Sequence, residues 1–269
     1  MARKITNLVL GSEGFIGKPF CAFLESLGEK VVRFDIKRST QEDLRNAKLS
    51  LKGIDRIYFL AWDVGGTKYL FKKDSLLNQI EWNTEILMNT MPQLEKSGVP
   101  FLFISSQFAE EYGTPYGATK RLGEIWTRLI PNGYYVRQWN VYGVTEDQDE
   151  RSHVISDFIH KAIENGEIKM LSNGKEHRQF VHLEDSFRAY HKVLSEKIKG
   201  KIYDVTSGEW TRIIDVARAI ANFTGAKVKP GKKNVVDHHI FPVNDRVPGW
   251  KPKIHLQEGL SKLVDEYRK

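Results

Sequence analysis

The amino-acid sequence predicts an α/β chain, a doubly wound parallel sheet followed by a smaller C-terminal α/β lobe. Three observations carry that prediction. Short apolar runs alternate with helical patterns through the first half, which is the order of strand–helix–strand units with parallel strands. A glycine-rich turn, Gly11-Ser-Glu-Gly14-Phe-Ile-Gly17, joins the first apolar run to the first helical pattern. Gly11, Asp35, Ala61, Ser105 and Ser106 all stand where apolar runs end, and the carboxyl ends of strands are where ligands bind in such sheets.

The elements follow in order. Residues 5–10 read as a buried strand. From Phe15 onward, Ile16, Phe20, Phe23, Leu24 and Leu27 recur at helical spacing; Pro19 sits in the first turn, where its missing N–H is harmless, and Gly28 ends the helix. A second strand, 31–35, carries Asp35 at its end, and a polar link holds Asp43 and Leu44. A third strand, 56–61, leads into Trp62-Asp-Val-Gly65-Gly66, a stretch suited to close approach of backbone to a ligand. A helix over 74–97 carries Asn83 and stops at Gly98, followed by a strand at 99–105, a helix at 116–130 and a strand at 134–139. Beyond these, 152–163 predicts an amphipathic helix with Val154, Ile155, Phe158, Ile159 and Ile163 inward. Asn173-Gly174 is a turn, and helices at 183–195, 211–223 and 255–267 complete the smaller lobe. The units are 1–140, a Rossmann-type domain, and 141–269, a substrate lobe, interleaved without a clean linker and free of repeats.

Composition narrows the function. Of 269 residues 41% are hydrophobic and 28% charged, an ordinary globular balance. No apolar run approaches the ~20 residues that span a bilayer, so no membrane partner is expected. The single cysteine, Cys21, excludes an intramolecular disulfide and points to a reducing, cytoplasmic setting, and the opening Met-Ala-Arg-Lys runs straight into a strand rather than a signal peptide. The net charge of +7 invites a nucleic-acid partner, but the lysines and arginines are scattered among acids and read as a solvated surface.

The chemistry gathers at strand ends. Gly11 permits the tight turn, Gly14 the approach of a pyrophosphate, and Gly17 close packing of the helix, whose N-terminus attracts the phosphates. Asp35 lies 18 positions after Gly17, close to the ~20-residue offset of the acid that binds an adenosine ribose. A carboxylate there repels a 2′-phosphate and favours NAD, although Lys37 and Arg38 follow directly and would suit NADP. Asp43 is placed to meet the adenine amino group or to act as a cap. After the 99–105 strand come Ser105-Ser106-Gln107 and then Tyr116-Gly-Ala-Thr-Lys120, one helical turn apart on one face. The ammonium is expected to lower the tyrosine pKa, so that Tyr116 exchanges a proton with an alcohol or carbonyl while a serine hydroxyl bonds the same oxygen. A second Tyr-x-x-x-Lys, Tyr69 and Lys73, lacks the serine pair and reads as a solvated helix start.

With these residues in hand, the chain resembles the extended short-chain dehydrogenase/reductases of the nucleotide-sugar epimerase/dehydratase group. The resemblance rests on residues 11–17, Leu60-Ala61-Trp62 through Gly66, Ser105-Ser106, Tyr116 with Lys120, 137–143, 178–185 and Gly249-Trp-Lys-Pro-Lys. It implies Ser106, Tyr116 and Lys120 as catalytic residues, with Ser105 as the backup. It implies cofactor contacts from Gly11, Gly14, Phe15, Ile16, Gly17, Asp35, Asp43, Leu44, Leu60, Ala61, Trp62 and Lys120. It implies substrate contacts from Gly65, Ser106, Gln107, Asn140, His153, Arg178 and Arg246, no metal, and a homodimer built on the helices at 74–97 and 115–130. Arg178 would face the diphosphate, where a guanidinium suits paired oxygens, or else be a surface ion-pair residue.

The resemblance also sorts reactions. Where sugar 4,6-dehydratases carry Asp-Glu after the serine, this chain has Gln107-Phe108, which argues against dehydration. Phe108 occupies the place of the cysteine that works with a histidine in GDP-fucose synthase-like enzymes, so His153 has no thiol partner for epimerisation at C3 or C5 and is a substrate contact, an acid or chemically silent. What remains is NAD-dependent hydride transfer at sugar C4, whether a 4-epimerisation as in the UDP-glucose 4-epimerases, a 4-oxidation or the reduction of a 4-keto sugar. The alternatives are an NADP-dependent 4-keto-sugar reductase and a non-catalytic NAD(H)-binding regulatory protein.

Overall fold

The computed structural model describes residues 3–70, 72–145, 153–235, 237 and 241–269. Five strands of the first half, β1 (Thr6–Leu10), β2 (Lys30–Phe34), β3 (Arg56–Phe59), β4 (Phe101–Ser106) and β5 (Gly133–Gln138), are joined by β9 (Asp204–Val205) in one sheet of order β2-β1-β3-β4-β5-β9. Every pairing in it is parallel. The crossovers are α1 (Gly17–Ser26), α3 (Leu76–Ser97) and α4 (Pro115–Leu129), with a single-turn helix α2 (Thr67–Leu70) before α3. Between β2 and β3 the chain makes only a 3-10 turn at Thr40–Glu42, in keeping with its polar composition. Strand order therefore reverses at β1/β3, which opens a crevice at their carboxyl ends.

Alternating side chains cover both faces of the sheet. Val9, Tyr58, Leu102 and Ile104 pack with Phe20 and Leu24 of α1 and with Phe187 and Tyr190 of α6 (Leu183–Ser195). Leu8, Leu10, Ile57, Phe59, Phe101 and Phe103 pack with Leu87, Met91 and Leu94 of α3. Cys21 is fully buried in the first layer, and burial pushes its thiol up to about 11, so it is unreactive packing. The remaining elements are β6 (Asn140–Tyr142), α5 (Val154–Asn165), β7 (Glu167–Lys169), β8 (His177–His182), β10 (Trp210–Arg212), α7 (Ile213–Thr224), β11 (Lys227–Lys229) and α8 (Leu256–Tyr267). They form the order β10-β8-β6 and a β11-β7 pair over a core shared by α5, α7 and α8. Helix α6 and strand β9, from the second half, thus sit on the first sheet.

Several expectations shift. Ile163, predicted inward, is 38% exposed, because α5 turns its last apolar position out of the core. Ser152 lies outside the described residues, and the helix begins at Val154. Residues 210–212 pair antiparallel with β8 before α7 begins, because the pleated edge of β8 is free to accept them. The Tyr69/Lys73 pair is not a solvated helix start: Tyr69 is 6% exposed and donates to both carboxylate oxygens of Asp63, at 2.9 and 2.7 Å. Lys73 belongs to a separate 3-10 turn. Among the described residues no helix is long and apolar enough to cross a membrane.

The glycine loop is built on close contacts. Gly11 has φ +87°, and a Cβ there would lie 2.5 Å from the Ala61 amide nitrogen, so the loop rests directly on the end of β3. A Cβ on Gly17 would lie 1.9 Å from the Gly11 carbonyl oxygen, so the tight approach is helix to loop. Gly17→Ala is expected to destabilise the protein by about 2 kcal/mol or more through this backbone collision. Gly28→Ala has φ +77° but open space around it, and is expected to cost only about 1 kcal/mol of backbone strain. Urea unfolding of the two variants checks the ranking; equal losses would contradict it.

Candidate active site

The crevice has three connected parts. The first is lined by Gly11, Asp35, Asp43, Leu44, Ala61 and Trp62. Asp35 there accepts from the Glu13 amide at 2.9 Å and the Lys37 amide at 2.8 Å, which fixes its carboxylate at the mouth of the glycine loop. Arg38, the residue that would suit a 2′-phosphate, instead faces Glu42 at 3.4 Å and Glu13 at 3.8 Å. Asp43 is taken by Arg45, whose Nε lies 3.0 Å from both its oxygens, and the pairing holds its carboxyl below the usual range. The guanidinium of Arg45 in turn lies 5.0 Å from the ring centre of Trp82, which lines the same cleft. Asp43 is thus an ion-pair partner at the wall as well as a cleft residue.

The second part is lined by Gly11, Phe15, Ile16, Gly17, Leu60 and Trp62 on one side and by Gly65, Ser106, Gln107, Phe108, Tyr116 and Lys120 on the other. Gly14 stands inside the loop, its amide donating to the Gly11 carbonyl at 3.3 Å. The residues that fit a dinucleotide are therefore contiguous: a glycine loop whose tight path a Cβ at Gly11 or Gly17 would break by meeting backbone, an acid at the far end, and the Tyr–Lys pair at the near end. Ser106 closes β4 and accepts from the Phe108 amide at 3.2 Å while donating to Gln107 Oε1 at 3.1 Å. Ser105 points the other way and donates to the buried Glu124 at 2.7 Å. The alternating pleat of the strand makes that choice: both residues line the cleft, but the Ser105 hydroxyl is spent on Glu124, while the Ser106 hydroxyl stays on the side of Gln107.

The electrostatics differ from the expectation. Tyr116 is not lowered by the ammonium. Burial pushes its hydroxyl up to about 12, opposed by the hydrogen bond with Ser106. Burial also drives Lys120 from 10.5 down to about 7, with the Glu124 carboxylate opposing. Lys120 Nζ donates to the Ile104 carbonyl at 2.7 Å, so it is anchored to the strand rather than to the phenol. Desolvation outweighs the Ser106 hydrogen bond at Tyr116 and the Glu124 charge at Lys120.

The third part adjoins the second through Asn140, His153 and Arg178 and continues past Phe158, Met170, Leu171 and Glu176. Asn140 donates to the Gln179 carbonyl at 3.2 Å, and the His153 ring packs 5.0 Å from Phe15. Arg178 is 8% exposed, its Nη1 donates to the His177 carbonyl at 2.7 Å, and burial brings it down to about 10 against the pull of Glu176 and Asp237. Arg246 is not brought into this crevice. It is exposed, donates to the Ser207 carbonyl at 3.1 Å, and lines a separate cleft with Lys251 and His255. Its segment crosses beside β9, where Arg246 bridges to Asp204, which turns it away from Arg178.

Glu124 and Glu176 were missed in the sequence. Glu124 follows Lys120 by four positions, a spacing that marks one helix face. Glu176 stands two residues before Arg178, on the inward side of β8's approach, and accepts from Ser172 at 2.6 Å.

The model of the NAD dependent epimerase/dehydratase family matches residues 7–206, most of the chain. The chain belongs to that family. It is an enzyme of the extended short-chain dehydrogenase/reductase type whose cofactor is NAD, in the nucleotide-sugar epimerase/dehydratase group. Among its relatives, a UDP-glucose 4-epimerase of Mycolicibacterium smegmatis is 24% identical, over 97% of this chain and 98% of its own. A UDP-N-acetyl-alpha-D-glucosaminuronate decarboxylase of Bacillus cytotoxicus is 23% identical over 97% of both chains. The crystal structure of the Thermotoga maritima UDP-glucose 4-epimerase with UDP-glucose aligns with a TM-score of 0.79 at 22% identity, covering 98% of this chain and 99% of that one, a likeness of fold. Two relatives of equal distance carry the names of different reactions, so the chemistry has to be argued from the cleft.

The Lys120 shift has a sign that can be checked. Between about pH 7 and pH 10.5 the unfolded chain holds a proton on Lys120 that the folded chain lacks, so this group's contribution to stability rises with pH across that window and is least favourable at and below pH 7. Lys120→Met is expected to raise Tm at pH 6.5 (about the low end of that window), with a gain that shrinks toward pH 10. A gain independent of pH in thermal melts would contradict the buried-ammonium assignment.

Proposed function

We propose that this enzyme moves a hydride at C4 of the sugar of a nucleotide-diphosphate sugar, with Tyr116 as the proton-transfer group. NAD, when bound, supplies the hydride acceptor and donor. The carrying observation is the placement of Tyr116 and Ser106 on one wall of the second cleft, with the phenol held protonated by burial. A protonated phenol gives its proton to a developing alkoxide and takes it back from the alcohol in the reverse direction. Ser106 bonds the same sugar oxygen and orients it. Arg178, buried and without an ion-pair partner among the described residues, takes the diphosphate, with Asn140 and His153 beside it.

Phe108 supports the restriction to C4. Its ring packs 5.9 Å from Tyr116 and 5.5 Å from Phe241, an apolar wall beside the phenol that offers no second acid or base for dehydration or for epimerisation at C3 or C5. Removing a proton from carbon requires such a group within hydrogen-bond reach. Oxidation and reduction at C4 require only the phenol and the cofactor.

The reading includes a homodimer. Leu77, Ile80 and Met88 of α3 and Leu122, Ile125 and Leu129 of α4 are exposed apolar residues at helical spacing on two neighbouring helices, a face suited to a second copy of the same chain. Sedimentation velocity is expected to give twice the 31.0 kDa chain mass; a monomer at micromolar concentration would contradict it.

Tyr116→Phe is expected to bind NAD as the wild type does and to lose turnover by ~10²-fold or more. The assay follows NADH absorbance and product formation with GDP-, UDP-, dTDP- and CDP-hexoses. Near-normal turnover in this variant would overturn the role of Tyr116, and no reaction or binding with any of the four classes would overturn the nucleotide-sugar reading.

A further inference from the structure

We propose that the rings of Trp62, Phe103 and Tyr116 form a cage that holds Lys120 as an ammonium ion, and that Trp62 is its principal wall and thus a positioning residue of this site. The proposal rests on Lys120 acting beside Tyr116, as set out above.

The geometry of Lys120 is that of a cation without a counter-ion. The side chain is 5% exposed. Its ammonium lies 4.1 Å from the Trp62 ring centre, 5.0 Å from that of Phe103 and 5.9 Å from that of Tyr116. One N–H donates to the Ile104 carbonyl. Among the described residues no carboxylate lies within ion-pairing distance of it. A buried ammonium so placed would shed its proton unless something replaces its hydration. Aromatic faces do so through their quadrupoles, indole most strongly, and the attraction is largest where water is excluded.

Three separate elements supply the cage. Trp62 follows β3, Phe103 lies within β4, and Tyr116 stands one turn before Lys120 on α4. The first two rings brace each other edge-on at 5.4 Å, and Phe59 supports Trp62 at 6.4 Å. Gly123 lets α4 approach: a Cβ there would lie 2.5 Å from the Phe103 ring, so a larger residue would move the very ring that faces the ammonium. The other titratable groups facing Lys120 are Tyr116 and Glu124 of its own helix; β4 presents Phe103 and the Ile104 carbonyl, and the end of β3 presents Trp62. Glu124 is shared among Ser105, Arg121 and Arg137, so its charge is largely spent elsewhere. Trp62 also lines both the dinucleotide cleft and the reaction cleft, so the residue that sets the charge of Lys120 forms part of the wall where the cofactor and substrate meet.

The test is a titration of Lys120 itself in the full chain labelled with ε-¹³C lysine, with its signal assigned by loss in Lys120→Arg. The remaining lysines in the same spectra are internal references. Trp62→Leu is expected to lower the Lys120 midpoint by about one pH unit, a tenfold loss of proton affinity, and Trp62→Phe to lower it by less, the reference lysines staying put. A midpoint unchanged or raised in Trp62→Leu overturns the cage; if that variant does not fold, Trp62→Phe decides by the same criterion. A failed cage shows in this midpoint, whereas a failed role for Tyr116 shows in the turnover of Tyr116→Phe, so the two are told apart.

Discussion

The site depends on one buried ion cluster. Glu124 of α4 accepts from Arg137 Nε at 2.7 Å and Nη2 at 2.9 Å, and from Ser105 at 2.7 Å, while Arg137 also bonds Glu110. Four pieces of chain meet there: the helix that carries Tyr116 and Lys120, the end of β4 that carries Ser106, strand β5, and the 3-10 turn that carries Gln107 and Phe108. A fully buried carboxylate and guanidinium are tolerable only while paired, so the four pieces are locked in one arrangement. Ser106 and Tyr116 therefore face the same cleft because Ser105 and Glu124, on the opposite side, are bonded to each other.

Desolvation then governs the chemistry. The cleft is dry enough to raise a phenol and lower an ammonium, which leaves Tyr116 protonated and Lys120 poised near neutrality. A resting phenol is a proton donor that becomes an acceptor only when positive charge is near. Lys120, when it carries its proton, is a positive charge on the same helix face as the phenol, and NAD, when bound, would add the charge of its nicotinamide.

Most of this was legible in the sequence wherever one local rule decided the outcome. The glycine loop, Asp35 at the end of β2, the Tyr116–Lys120 turn and the alternation of strands and helices each follow from short-range spacing, and each stands at its expected place. What escaped needed three dimensions. The pleat of β4 chooses Ser106 over Ser105, but only the Glu124 bond shows which side is which. Tyr69 looked solvated because its partner, Asp63, precedes it in a loop rather than on a helix face. Arg246 looked like a second diphosphate ligand, yet its pairing beside β9 faces it elsewhere. The sign of the Tyr116 shift was misjudged because spacing reveals a neighbouring charge and hides the burial that outweighs it.

The central claim is hydride transfer at C4 with no proton removed from carbon. The apolar Phe108 ring lies beside Tyr116 and the amide of Gln107 beside Ser106, and neither can take a proton from carbon. The measurement that bears on this most directly is the fate of deuterium at sugar C4, followed by mass spectrometry in GDP-, UDP- and dTDP-hexoses labelled there. Retention of the label at C4 of the product sugar or on the nicotinamide ring is the predicted result. Its migration to another sugar carbon, or its loss to water, would contradict the account.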